Sequence, residues 1–504
     1  RPAVAGWVAV WACCLALGPA AYAQQTDYEA WLEAQQQEYQ QFLSAQDRAF
    51  AKFLRQAWQR VEVDPASYAD LGPKPATVPA VDPATDRTSP PVPDEGPVVQ
   101  QKPSAPIPTD PAPRRQAPTR KGSDPVSGPS ADAPSEPALG RTASLSFFGA
   151  RLSVPYSAAL TPSLDGAPDP VSISTFWIAL SRAEHAPFVA ALEQRRRELA
   201  LGDWGYYLLV RDVARRLYGG PSHEARLLTW FVLLKSGYDA RVGYTADGQL
   251  FLLLPSDDRA FKLPQLRLDG QRYYIVNENV PRERGALHTY DGRYPEADRT
   301  VDFALARAPR LPGSVARRTV EFKFRGTRHE LTLAYDTGYV AYLERYPMME
   351  LPVYFTAALS PAARESLRAG LEPLLEGKSQ VEAVNLLLRF VQRAFRYKRD
   401  TDHFGEERYL FPEETLASPY SDCEDRAALF AALARELLGL DVIGLKYPGH
   451  VAAAVRLDTD VEGGTVAHDG ATYVVADPTY FGADLGMVMP FVRKHAPEAI
   501  ALDT

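Results

Sequence analysis

Apolar and polar positions divide the chain into stretches of different rhythm. Residues 28–60 carry three consecutive 11-residue units, YEAWLEAQQQE, YQQFLSAQDRA and FAKFLRQAWQR. Tyr28, Tyr39 and Phe50 open the units, and Trp31-Leu32, Phe42-Leu43 and Phe53-Leu54 hold their fourth and fifth positions. Eleven residues make almost three whole helical turns, so these side chains form one nearly straight stripe. The pattern predicts an amphipathic helix over 24–62. Such a narrow aromatic stripe does not stay in water. It docks on the rest of the chain, on a second copy or on an envelope partner. Its Gln- and Glu-rich polar face argues against a membrane surface.

The rhythm then stops. Residues 64–140 hold 19 of the 43 prolines, among Ala, Ser, Thr and Asp. This composition predicts a disordered, polyproline-biased linker over 63–143. Fully extended, it would span roughly 240 Å at about 3.1 Å per residue. The Pro90-Pro91-Val92-Pro93 stretch has the look of a peptide ligand, although a bare spacer is the simpler reading.

From Leu145 onward the pattern alternates between strand and helix. SFFGARLSVPY reads as strands, 205–217 and 224–236 as helices, and 240–254 and 272–277 as strands. VEFKFRG and HELTLAYD predict a hairpin at 320–336, and LPVYFTA at 351–357 a further strand. A helix starts at Ser379, where Glu382 completes a capping box; Val384, Leu388, Val391 and Phe395 form its apolar face. A last helix at 422–438 precedes strands near 441–447, 450–457 and 472–477. The expected class is α+β.

Composition sharpens this picture. The 504 residues allow several domains with real cores, and 46% hydrophobic with 23% charged residues is ordinary for a globular protein. A net charge of −8, with no basic domain and no dominant Lys/Arg run, argues against nucleic acid. The run Arg195-Arg196-Arg197 reads as a solvated helix face. Residues 3–23 are apolar and end in Ala21-Tyr22-Ala23, a small-x-small cleavage pattern. They predict a secretory signal peptide over 1–23 with a truncated basic region, hence a periplasmic or secreted protein; an uncleaved membrane anchor is the alternative. Lipidation at Cys13 is disfavoured by the Val10-Trp11-Ala12 sequence before it. Of the 3 cysteines, Cys13 and Cys14 lie inside that segment. Cleavage leaves Cys423 alone, either an inert buried thiol or a nucleophile.

Its surroundings favour the second. Tyr420-Ser421-Asp422-Cys423-Glu424-Asp425-Arg426 opens a helix, with Ser421 and Glu424 as an expected capping box, Leu429, Leu433 and Leu437 as the buried stripe, and Gly439 as the stop. A thiol in a first helical turn feels the partial positive charge of unpaired N–H groups, which also can donate to an oxyanion. Pro448-Gly449 places His450 at the mouth of a strand, where an imidazole can take the thiol proton. Asp477 ends a strand expected to pair with the His450 strand, and a carboxylate there can orient the other ring nitrogen.

The phrases SDCEDRAALFAALAREL, YPGHVAAAV and YVVADPTY, in this order and spacing, resemble the transglutaminase-like cysteine enzyme superfamily. The resemblance implies Cys423 as nucleophile, His450 as base and acid, Asp477 as the orienting carboxylate, and a papain-like α+β core. It is strong from about Ser379 to Tyr480. More loosely, everything from Phe147 onward resembles large exported bacterial proteins with a C-terminal transglutaminase-like domain. Some superfamily members have lost a triad residue and serve as scaffolds.

Part of this pattern recurs upstream. RLLTWFVLLKSGYDARVGY at 226–244 parallels RAALFAALARELLGLDVIGLKY at 426–447, each an apolar helix, Gly-x-Asp and a strand ending in Tyr. Residues 270–277 parallel 470–477. In this degenerate copy the Cys423 position falls near Pro221, the His450 region in 246–249, and Asp477 meets Asn277. The organisation expected is a signal peptide at 1–23, the helix at 24–62, the linker at 63–143, a degenerate copy at 144–312, a β-rich connector at 313–360 and a catalytic domain at 361–504.

Other signals are weak. Asp458-Thr459-Asp460-Val461-Glu462-Gly463 resembles half a calcium loop with Asp469 at its twelfth position, but strands flank it, so a hairpin turn is expected and no cofactor is assigned. His185, His223, His288, His329, His403, His468 and His495 show no metal-ligand spacing, and no Gly-rich phosphate loop precedes a helix. Two functions follow as expectations. One is an exported enzyme that breaks amide bonds of a protein or peptide through a thioester, by hydrolysis or by transfer to an amine. The other is an envelope scaffold built on the 11-residue helix and a vestigial fold.

Overall fold

The structure, a computed structural model, describes residues 45–56, 58–63, 140–277 and 285–502. The expected signal peptide, most of the first two 11-residue units and nearly all of the linker lie outside these residues. Helices and antiparallel sheets build an α+β protein.

In the first half, helices Pro170–Arg182, Ala186–Glu198, Asp203–Tyr218 and His223–Lys235 pack with a six-stranded sheet. Its order is Gln59–Glu62, Ala286–Thr289, Arg241–Tyr244, Leu250–Pro255, Gln271–Ile275 and Gln265–Leu268, every neighbouring pair antiparallel. In the second half, helices Pro361–Leu375, Gln380–Ala394 and Cys423–Leu438 accompany a five-stranded antiparallel sheet. Its order is Thr465–His468, Ala471–Ala476, His450–Val455, Val442–Tyr447 and Glu498–Ile500.

The two halves repeat one topology. Each runs a helix and then four strands of its sheet, the first half adding the short Ala260–Phe261 strand that pairs elsewhere with Met348–Met349, and each sheet places the fourth of these strands between the second and third. Even the tight turn recurs. Asp269-Gly270 and Asp469-Gly470 both adopt positive φ at both residues, which is what a two-residue turn matching strand twist requires. The register corrects one correspondence: Tyr244 pairs with Leu250 as Tyr447 pairs with His450, so Leu250, not 246–249, holds the histidine position.

Local expectations fare unequally. The Ser379–Glu382 capping box forms, and Val384, Leu388, Val391 and Phe395 are fully buried. The hairpin is longer than expected, Val315–Phe324 with Thr327–Asp336. Residues 351–355 are a short helix rather than a strand. Pro352 at its start has φ suited to a first helical turn and no N–H to offer a ladder.

The N-terminal stripe is spent on the protein itself. A helix over 45–54 buries Phe50 and Leu54 in the first half, with the Phe50 ring 4.8 Å from Trp177 and 5.3 Å from Tyr294. Asp47 Oδ1 lies 2.5 Å from Lys235 Nζ, both nearly withdrawn from water. Helix does not continue to residue 60. Gln59–Glu62 instead pairs with Ala286–Thr289 as an edge strand, because a free sheet edge offers Arg60 and Val61 the ladder partners a fraying helix end lacks.

Truncating Phe50 to Ala should therefore cost about 3–5 kcal/mol in denaturant unfolding, while the exposed Lys52→Ala should change stability by under about 0.5 kcal/mol. Equal effects would show that the helix is not docked.

Candidate functional site

The Cys423–Leu438 helix begins one residue later than the sequence suggested. Asp422, not Ser421, is its N-cap, and the Asp422 N–H donates to Asp425 Oδ2 at 3.2 Å. Ser421 is drawn away because Tyr420–Ser421 pairs in parallel with Arg396–Tyr397, and its hydroxyl accepts from Arg426 Nε at 3.1 Å. The helix ends at Gly439 in the left-handed conformation, as expected. Cys423 is its first residue, and the helix packs against the His450–Val455 strand.

The other two residues arrive on neighbouring strands. Ala453 pairs with Ala476, which sets the Asp477 side chain beside His450. His450 Nε2 lies 2.8 Å from Asp477 Oδ2, and both side chains are buried. The second carboxylate oxygen, Oδ1, accepts the N–H groups of Thr479 and Tyr480 at 2.9 and 3.0 Å. The turn after Pro478 thus anchors one oxygen and leaves the other for the ring. With Nε2–H donating to Asp477, Nδ1 carries the lone pair, and Nδ1 has no partner. Gln392, fully buried, donates to the Asp477 and Ala483 carbonyls, and Arg389 holds Gly482, Ala483 and Asp484. These two helix residues fix the loop that carries the carboxylate.

Cys423 does not bond to His450. Its thiol donates to Glu424 Oε2 at 2.9 Å. Burial, then the charges of Glu424 and Asp422, push the thiol well above its usual pKa, with the Val451 amide pulling the other way. The helix-terminus effect expected from sequence is overridden here by burial first and by acidic neighbours next. Cys423 and His450 are both shut off from solvent, and Phe491, one of three exposed large apolar side chains among the described residues, lies 5.8 Å from the imidazole.

Sequence reading missed the acidic group behind the thiol. Asp400, Glu407, Asp422, Glu424 and Asp425 are all buried. The chain from 400 to 411 brings the first two, held by the Arg408 N–H on Asp400 Oδ2 and the Leu410 N–H on Asp425 Oδ1. Burial first, and mutual repulsion next, raise Asp422, Glu424 and Asp425 far above ordinary carboxylates and Asp400 to about 7. The Asp-Cys-Glu-Asp run was the visible signal, but acids in a first turn ordinarily face water. The 458–463 stretch that resembles half a calcium loop is ordinary by contrast. Asp458 accepts from Gln380 Nε2 at 2.8 Å, and Asp469 sits in the tight turn at the far end of a strand.

At the corresponding place in the first half, Asn277 closes the gap. Its Oδ1 accepts from the Leu252 N–H and its Nδ2 donates to the Leu250 carbonyl, so it zips a strand instead of orienting a ring. A small cleft opens there, lined by Arg211, Arg215, Pro221, Arg226 and Asn277 among others.

No known family profile, no curated protein and no solved structure matches this chain. Among the described residues, no helix is long and apolar enough to cross a membrane.

Glu414 tests how the 400–411 segment is held. It is buried, accepts the Phe411 N–H at 3.0 Å and Arg408 Nη2 at 2.8 Å, and burial raises it from 4.5 to about 7. The folded chain therefore keeps an extra proton between those values. That contribution is complete below about 4.5 and is lost as pH rises through 7. Relative to Glu414→Gln, the wild type should lose on the order of 3 kcal/mol between pH 4 and 8, read from paired unfolding curves. A constant difference would show that Glu414 titrates normally.

Proposed function

We propose that this chain is an exported cysteine enzyme that acts on amide bonds of a protein or peptide through a thioester on Cys423. The observation that carries the reading is the buried His450–Asp477 pair at 2.8 Å, its Nδ1 unpartnered, on strands packed against the helix that starts with Cys423. A cysteine-bearing helix against an antiparallel sheet bearing His and Asp is what the transglutaminase-like resemblance implies, down to a papain-like core.

The chemistry follows from the groups in place. His450 Nδ1 accepts the Cys423 proton as the thiol leaves Glu424. The sulfur adds to the substrate carbonyl, and the Cys423 amide, a first-turn N–H without an intrahelical acceptor, supports the oxyanion. Imidazolium returns the proton to the departing amine, leaving the thioester. Water resolves it in a peptidase or amidase; a lysine amine resolves it in a cross-linker. Because the thiol and ring are covered, Phe491 and its segment must move for substrate to enter. The first half, with Pro221, Leu250 and Asn277 at the three positions, lacks the reacting groups and serves as a platform.

The same closed thiol favours a second reading, an envelope scaffold in which the triad is vestigial. In that case Cys423→Ala leaves cellular function intact, while deletion of residues 24–60 abolishes it.

The enzyme reading is tested with a glutamine-bearing protein, such as casein, and a labelled primary amine. New N-termini or conversion of glutamine to glutamate indicate hydrolysis, label incorporation indicates transfer, and ammonia leaves a glutamine side chain in either case. Either should vanish in Cys423→Ser and fall by ~10²–10⁴ in His450→Ala. Activity surviving in Cys423→Ser would remove the thioester mechanism.

A further inference from the structure

Five carboxyl groups withdrawn from water in one place need a neutraliser. Asp400, Glu407, Asp422, Glu424 and Asp425 are each 7% exposed or less. They form two trios, Asp400 with Glu407 and Glu424, and Asp400 with Asp422 and Asp425, and in each the offered oxygens lie within 4.8 Å of one another. Asp400 belongs to both. Hydrogen bonds from the backbone satisfy part of the group, at Asp400 Oδ2 and at both oxygens of Asp425. No donor from outside the group reaches either oxygen of Asp422 or Glu424 Oε1, and the Asp422 and Glu424 carboxyls lie within hydrogen-bond reach of each other. A buried carboxylate without donors is costly, so such a group either keeps a proton or meets a cation.

The cations nearby are committed elsewhere. Arg426 Nη2 donates to the Phe395 carbonyl at 2.7 Å and its Nε to Ser421, with the guanidinium over the Tyr397 ring. Lys262 lies 3.2 Å from Glu406 and donates to the Glu407 carbonyl. Arg408 reaches Glu414. None of these bonds ends on Asp422 or Glu424.

We propose that these five acids bind one divalent cation of the calcium type, centred on Asp400 and seated against the start of the Cys423–Leu438 helix. The donors are all oxygen, which selects a hard cation over zinc or copper. Several carboxylates gathered from three stretches of chain suit the large, flexible oxygen shell of calcium, whereas magnesium holds most of its waters and takes one or two carboxylates. Tyr397 and Tyr409, whose buried hydroxyls have no partner, stand within electrostatic reach of Glu424 and add neutral oxygens at the rim. The ion would tie the 400–411 segment to the helix start by joining residues about 20 positions apart in the chain. Binding is measured without any substrate, so its outcome does not depend on the amide-bond chemistry.

The test uses the full chain stripped with a chelator, then titrated calorimetrically with calcium chloride, with magnesium chloride as comparator. One calcium per chain and a raised thermal midpoint are expected, with magnesium weaker. Asp400→Asn should weaken calcium binding roughly tenfold or more and abolish the midpoint rise, while its chelated midpoint is no lower than that of the wild type, since one buried charge has gone. Glu407→Gln gives the same comparison should Asp400→Asn not fold. Asp458→Asn, outside the cluster, should bind as the wild type does. No binding heat and no midpoint change at millimolar calcium would overturn the site, as would wild-type affinity in both Asp400→Asn and Glu407→Gln.

Discussion

The Cys423–Leu438 helix is buried from Cys423 through Ala434, between the Gln380–Ala394 helix and the second sheet. A helix start leaves N–H groups unsatisfied, and here there is little water to meet them. The Asp422 N–H is satisfied from inside by Asp425, while Leu410 is pinned to the other oxygen of the same side chain. Burial of this one helix end thus dictates the path of the 400–411 segment, the placing of Arg426 and the environment of the thiol.

That constraint also explains why two effects that sequence treats separately end in opposition. A helix N-terminus favours a thiolate by a fraction of a unit charge. Burial strips a thiolate of water, and the Asp422 and Glu424 carboxyls stand at a range too short for the helix terminus to offset. The closer groups win, and the thiol points at Glu424 rather than at the imidazole. Around His450 the balance differs, because Asp477 is steadied by two backbone N–H groups and its strand is locked by Gln392 and Arg389.

The two halves show what a shared topology does and does not preserve. Strand order and the Asp-Gly turn recur, because both follow from backbone twist and chain connectivity. The polar ends of the strands diverge. Asn277 bonds both ways to the neighbouring strand, a task an ionised aspartate cannot perform because it has no N–H to donate. The main core takes side chains from both halves, Trp204 and Leu208 as well as Leu388 and Phe430. The N-terminal segment closes it on one side through Phe50 and Leu54.

Sequence alone determined the helices that start at Ser379 and beside Cys423, the strands near 441–447, 450–457 and 472–477, the capping of Ser379, the stop at Gly439, the pairing of the Asp477 strand with the His450 strand and the recurrence upstream. Each rests on neighbours a few positions apart, where periodicity and turn chemistry dominate. Only the tertiary structure decided that Ser421 yields the cap to Asp422, that 351–355 is helical, that the aromatic stripe of 45–54 lies inside the protein and that five acids gather behind Cys423. Those outcomes depend on what packs opposite, such as a parallel bridge from Arg396–Tyr397 or a sheet edge awaiting a strand. A pattern of residue types says which side chains avoid water, but not which charges are driven together when they do.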